Sequence, residues 1–213
     1  MRGKIVLVIA VTAILTNVAV AQDSRSSIAL EGTGAFVADS SGHDAFDSPT
    51  TRHVDTAGGF LVSYRYRLWS WLALEANYGL APNSIQFSTS SGAFTGNAYM
   101  HQVTTGFVVK LPSGARHKFS PYLLMGGGAM IFSPTSDGFR TAGGFASSPA
   151  ATRETDATFV YGAGVDFPIK PRWSLRAEYR GLVYHSPDFG VPTLATGSTL
   201  HTAQPSLGVA YRF

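Results

Sequence analysis

Leu200-His-Thr-Ala-Gln-Pro-Ser-Leu-Gly-Val-Ala-Tyr-Arg-Phe213 closes the chain, and the reading of the fold starts there. Counting back from the aromatic end, Tyr211, Val209 and Leu207 share one face, while Arg212, Ala210, Gly208, Ser206 and Gln204 take the other. Side chains in a strand alternate between faces, so the segment reads as a single β-strand with one greasy and one small, polar side. That pattern suits a soluble sandwich as well as a barrel in a membrane. The remaining strands have to decide between them.

Seven further segments show strand-like alternation: Ser27 to Ala38, Thr56 to Leu68, Trp71 to Pro82, Asn97 to Leu111, Phe119 to Ser133, Thr155 to Pro168 and Arg172 to Tyr184. Their connections alternate in length. Long ones cover Asp39 to Asp55, Asn83 to Gly96, Pro134 to Glu154 and His185 to Thr199. Short ones cover Trp69-Ser70, Pro112 to Lys118 and Ile169 to Pro171. An even number of strands with short turns at one end and long loops at the other is the pattern of an antiparallel barrel that spans a membrane. The long loops are rich in Ser, Thr, Gly and Asp, whereas Arg116, His117, Lys118, Lys170 and Arg172 gather at the short turns.

Composition narrows the setting. Of 213 residues 45% are hydrophobic and only 14% charged, which argues against disorder. Arg2 and Lys4 precede an apolar run from Ile5 to Val20 that ends on Ala19-Val20-Ala21, so residues 1–21 read as a cleaved export signal and 22–213 as the folded domain. Cleavage leaves 14 of the 16 Lys and Arg against 13 Asp and Glu. The near balance, with no basic run interleaved with aromatics, excludes a nucleic-acid footprint. The chain has no cysteine, so disulfides contribute nothing to its stability. No stretch after the signal is long enough for a spanning helix, and a membrane crossing therefore requires a closed barrel.

The charges fall on one parity. In the seventh segment Trp173, Leu175, Ala177, Tyr179, Gly181 and Val183 oppose Ser174, Arg176, Glu178 and Arg180. In the third, Leu72, Leu74, Ala76, Tyr78 and Leu80 oppose Ala73, Glu75 and Asn77. In the second, Phe60, Val62, Tyr64, Tyr66 and Leu68 oppose Ser63, Arg65 and Arg67. A ligand-carrying soluble barrel has the same period with inside and outside exchanged, so periodicity alone leaves both open. Aromatic residues near the segment ends favour lipid outside. Trp69, Trp71, Phe119, Phe167, Trp173 and Phe213 are expected to form a belt on the turn side. A loop-side belt is expected from Phe36, Tyr78, Tyr99, Phe132, Phe159 and Tyr184. With lipid outside, Glu31, Arg65, Arg67, Glu75, Arg176, Glu178 and Arg180 become a charge network in the lumen. Glu31 and Glu75 are expected to pair with an arginine on the strand between them.

Pro121-Tyr-Leu-Leu-Met-Gly-Gly-Gly-Ala, Tyr161-Gly-Ala-Gly-Val-Asp-Phe, Trp173-Ser-Leu-Arg-Ala-Glu-Tyr-Arg and Leu207-Gly-Val-Ala-Tyr-Arg-Phe resemble strands of the small OmpA-like and opacity-type outer-membrane β-barrel domains. The resemblance spans nearly all of the chain after the signal. It implies an all-β, eight-stranded antiparallel transmembrane β-barrel with short periplasmic turns and long extracellular loops. It also implies a structural or surface-interaction role, with at most a narrow porin-like conductance. In that family the assembly machinery reads alternating hydrophobic positions and a final aromatic, which here assigns Leu207, Val209, Tyr211 and Phe213 as the assembly signal. The partners expected are outer-membrane lipid, the assembly machinery and a surface ligand held by the long loops, with the barrel a monomer. No peptidoglycan-binding segment follows Phe213, so a cell-wall tether is not expected.

Other chemistry is weaker. Gly126-Gly127-Gly128 and the pairs Gly32/Gly34 and Gly162/Gly164 lie inside strands with no helix or P-loop lysine after them, so they are read as sites of curvature and close strand approach. Neither a cofactor nor a resident metal is expected. Asp39, His43, Asp44, Asp47, His53 and Asp55 could ligate a cation, but nothing fixes their geometry, and solvated loop carboxylates are the plainer reading. His185-Ser186 invites comparison with lipid A deacylases, which are also outer-membrane barrels. However, adjacent strand residues point to opposite faces, and Pro187 stands where that family's pattern has another residue. No enzymatic activity is expected. The two alternatives are a lipid A-modifying barrel and an exported soluble barrel that binds a small ligand.

Overall fold

The computed structural model describes residues 25–38, 40–43, 49–54, 56–89, 92–112, 119–141, 152–187 and 198–213. Residues 1–21, read as the export signal, lie outside them. Ten strands follow in chain order: β1 (Ser26–Val37), β2 (Ser40–His43), β3 (Pro49–Val54), β4 (Ala57–Arg67), β5 (Leu72–Thr89), β6 (Gly92–Lys110), β7 (Ser120–Thr141), β8 (Glu154–Lys170), β9 (Trp173–His185) and β10 (Thr199–Arg212). Eight of them, β1 and β4 to β10, form the barrel. Each is antiparallel to its neighbours, and β1 against β10 closes the ring through pairs such as Ile28 with Tyr211. Closure removes the free edges that an open sheet would expose to lipid. Next to the last strand, the Phe213 amide donates to the Ser26 carbonyl at 3.0 Å.

The short turns at Trp69-Ser70 and around Pro171 form where the sequence reading placed them, and 113–118 lie outside the described residues. At Trp69-Ser70-Trp71 the amides of Leu68 and Trp69 both donate to the Leu72 carbonyl at 3.0 Å. Pro168, which has no amide hydrogen, sits where the β8 to β9 register shifts, a usual place for proline in a sheet.

The long connections differ from expectation. β5 and β6 remain paired to Thr89 and Gly92, so most of 83–96 is a protruding hairpin and not a loop. β7 runs on to Thr141 and pairs with Phe94 to Gly96. The first long connection contains the β2–β3 hairpin, whose second strand pairs with β5 from Val54/Ile85 to Thr50/Thr89. Strand pairing there uses main-chain groups, which Ser, Thr and Gly supply as well as apolar residues do, and this is why composition read as loop.

Large apolar side chains face outward: Leu30, Met125 and Leu207 are each more than half exposed, while Arg180 is 0% and Glu31 1% exposed. That inversion resolves the ambiguity left by periodicity, since a water-soluble barrel would not expose such a continuous greasy wall. No helix among the described residues is long and apolar enough to cross a membrane.

The turn-side belt contains Trp69 stacked on Trp71 at 6.0 Å, Phe119 beside Phe167, and Trp173 against Tyr211 at 4.9 Å. Two residues expected in the loop-side belt do not belong to it. Phe132 and Tyr184 are buried inside the barrel, ring centroids 5.7 Å apart. They share the parity of Met130 and Leu182, so counting by strand position would have placed them inside, and aromatic character misled.

Candidate functional site: the lumen and its two mouths

Five strands bring the charges together in the turn-side half of the lumen. On β4, Arg65 donates from Nε to Glu75 Oε2 of β5 at 2.7 Å, and its Nη2 also contacts that oxygen. On β9, Arg180 holds Glu178 through Nε. Its Nη2 reaches Glu75 Oε1 at 2.7 Å and Asn77 Oδ1 at 3.1 Å. Arg176 grips Asp166 of β8 with two bonds, Nε to Oδ1 at 2.8 Å and Nη2 to Oδ2 at 3.3 Å. Glu31 on β1 accepts from Ser206 at 2.6 Å and Ser63 at 3.3 Å, with Arg176 Nη1 at 3.8 Å.

Two expectations need correction here. No arginine from the strand between them bridges Glu31 and Glu75, because Arg65 leans toward Glu75 and Glu31 is satisfied mainly by hydroxyls. Arg67 is not in the network either. It is half-buried at the turn-side mouth, one strand repeat below Arg65, and makes no ion pair among the described residues.

Two members were missed in the sequence. Asp166 lies on the inward parity of β8, opposite Val165 and Phe167, and alternation would have found it. Tyr122 of β7, assigned to no face in the sequence, points inward and donates to Glu178 Oε2 at 2.6 Å, while Arg65 lies 4.3 Å over its ring. The phenol thus accommodates a cation on its face and an anion at its tip.

Farther from the short turns the lumen becomes apolar. Met130, Phe132, Leu182 and Leu200 are essentially fully buried, and the Tyr184 hydroxyl meets Thr202 at 2.9 Å. A charged layer and an apolar layer therefore succeed each other along the axis. Eight strands enclose only enough space for side chains.

At the loop-side end, β4 and β5 part. Their ladder stops at Phe60/Leu80, and pairing on that side of β5 resumes only with β3 at Val54/Ile85. Pro82 lies in the interval without an amide to donate. A cavity of about 480 Å³ opens there, lined by Ala57, Gly58, Asn83, Ser84, Tyr99 and neighbours. Asn83 is buried with its Oδ1 lacking a hydrogen-bond partner.

Glycine works here by close approach. A Cβ on Gly126 or Gly128 would run into the Thr105 or Val103 carbonyl across the β6–β7 ladder. His185 is exposed and Ser186 buried, so they are directed differently. Asp39, Asp44, Asp47 and Asp55 lie outside the described residues, as do Arg116, His117 and Lys118.

No curated protein matches the chain. Several solved outer-membrane proteins are similar to it. OprG from Pseudomonas aeruginosa has a TM-score of 0.64 at 14% identity, over 88% of this chain and 95% of that one. Neisserial surface protein A has 0.54 at 14%, over 88% and 97%. Ail, the attachment invasion locus protein of Yersinia pestis, has 0.50 at 21%, over 88% and 97%. At such identities the likeness establishes the fold. The family model for the outer membrane protein beta-barrel domain matches residues 6–213, and with the greasy exterior and charged interior this means that the chain belongs to the outer-membrane β-barrel domain family.

Proposed function

We propose that this outer-membrane barrel is a closed scaffold that displays its external hairpins for surface interaction and passes no steady solute current. The observation that supports this is the succession of two filled layers, the charge network from Glu31 to Arg180 and the apolar layer around Phe132, in a lumen of eight strands. Outer-membrane lipid contacts the apolar wall as a monomer's solvent, and the assembly machinery engages Leu207, Val209, Tyr211 and Phe213. A non-enzymatic role is supported by the fully committed lumen charges, each carboxylate holding arginine or hydroxyl partners instead of facing an open site.

Planar-bilayer recording tests the closed lumen. Wild type should give little steady current. Glu31→Ala with Glu75→Ala should raise it only modestly, because the apolar layer remains, and adding Phe132→Ala should raise it further. A large, stable wild-type conductance unchanged by these substitutions would overturn the reading.

A second reading is supported by the parted β4 and β5. The 480 Å³ cavity with the unpartnered Asn83 Oδ1 suits a small molecule that donates a hydrogen bond at the external mouth.

A further inference from the structure

The short-turn mouth is as distinctive as the lumen above it. Arg67 ends β4, Lys110 ends β6 and Arg212 ends β10, each on the parity of buried lumen residues above it: Arg65, Val108 and Ala210. The three line one small open recess, a cavity of about 30 Å³. Lys170 and Arg172 flank the β8–β9 turn and line an adjoining recess that shares Ser27, Asp166 and Arg212 with the first. Asp166 is the one acidic residue lining either recess, and it is already engaged by Arg176 at 2.8 Å and Arg65 at 3.5 Å. None of the five rim cations makes an ion pair among the described residues. The sequence of the short turns supplies no acid to offset them: Trp69-Ser70-Trp71, Pro112 to Lys118, and Lys170-Pro171-Arg172 contain none.

A second observation points inward from the same recess. Arg65 is 4% exposed and lines its floor; Glu75 takes its Nε and Nη2, and its Nη1 has no hydrogen-bond partner. Nη1 lies 3.5 Å from Asp166, and Nη2, besides its close contact with Glu75, lies 3.5 Å from Glu178. A buried guanidinium with one nitrogen lacking a close partner, beneath a rim of cations on separate strands, is an arrangement an oxyanion completes.

We infer that this mouth is a binding site for a phosphate group, seated between Arg67, Lys110 and Arg212 on the periplasmic side. A single carboxylate is matched by one guanidinium, whereas cations converging from three strands match a tetrahedral anion with several charged oxygens. Like charges held at a narrow, low-dielectric mouth focus the field toward it, which favours an anion over a neutral ligand. The site holds its ligand and does not conduct it, because the Arg65–Glu75 pair stands directly above. The phosphate comes either as a free ion or as the headgroup of a lipid in the inner leaflet.

The test uses the full barrel, refolded in maltoside detergent. Calorimetric titration with inorganic phosphate should show saturable binding that chloride at equal ionic strength does not reproduce. In Arg67→Gln, Lys110→Gln, Arg212→Gln together, binding should weaken at least tenfold, while Arg153→Gln at the opposite end leaves it unchanged. Heat-modifiable migration verifies that each variant is folded. If the triple variant fails to fold, Lys110→Gln alone should weaken binding about threefold. Native mass spectrometry with phosphatidylglycerol against the zwitterionic phosphatidylcholine separates the sources. Retention of the anionic lipid, lost in the triple variant, identifies a headgroup, and binding of inorganic phosphate alone identifies the free ion. Equal binding by wild type and folded variants, or no binding of either phosphate source by wild type, would overturn the proposal.

Discussion

Arg180 is fully enclosed, and it holds Glu178 and Glu75 at once. Removing one member of a buried ionic cluster leaves its partners charged and unmatched, which costs about 3–5 kcal/mol. Arg180→Met should therefore destabilise the barrel by about that amount in urea unfolding from lipid vesicles, followed by tryptophan fluorescence. Arg67→Gln should stay within about 0.5 kcal/mol, as expected for a half-exposed side chain without a partner. Equal effects would show that the enclosed pairs do not distinguish the two sites. Phe132→Ala removes a buried ring and should cost about 3–5 kcal/mol in the same assay. A negligible loss there would contradict its place inside the barrel.

At the scale of elements, β10 carries two neighbours, β1 along Ser27/Arg212 to Val37/Thr202 and β9 along Tyr211/Trp173 to Thr199/His185. It is the strand that closes the ring. Replacing Phe213 with Asp should reduce the amount of folded barrel in outer-membrane fractions while export and signal processing continue, because the substitution touches only the end of the closing strand. Undiminished membrane levels would remove Phe213 from the assembly signal. The β5–β6 hairpin makes the opposite case. Beyond Ile85/Gly96 it pairs outside the ring, so deleting 86–95 should leave heat-modifiable migration intact. Loss of the folded band would mean that the hairpin stabilises the barrel itself.

For the whole molecule, the exterior and interior are exchanged relative to a soluble protein. Ring closure means no strand can leave without breaking two ladders, so unfolding is expected to be slow and cooperative. A sample kept unboiled in dodecyl sulfate should migrate differently from a boiled one. Identical migration would be incompatible with a closed barrel that resists the detergent.

Eight strands, their turn-side ends and the inward charges of β4, β5 and β9 were legible in the sequence because strand geometry has a fixed period of two, and each residue's face follows from its neighbour's. Asp166 was legible by the same rule and was passed over. Which charge meets which was not legible. Arg65 reaches Glu75, and Arg176 reaches Asp166, because tilt and register set the height of each residue in the lumen, and register arises from pairing across the closed ring. Strand pairing also turned polar stretches such as 83–96 into hairpins. Burial of Phe132 and Tyr184, the parting of β4 from β5 and the convergence of Arg67, Lys110 and Arg212 on one recess are likewise products of closure, since each joins residues from strands that only the tertiary fold makes neighbours.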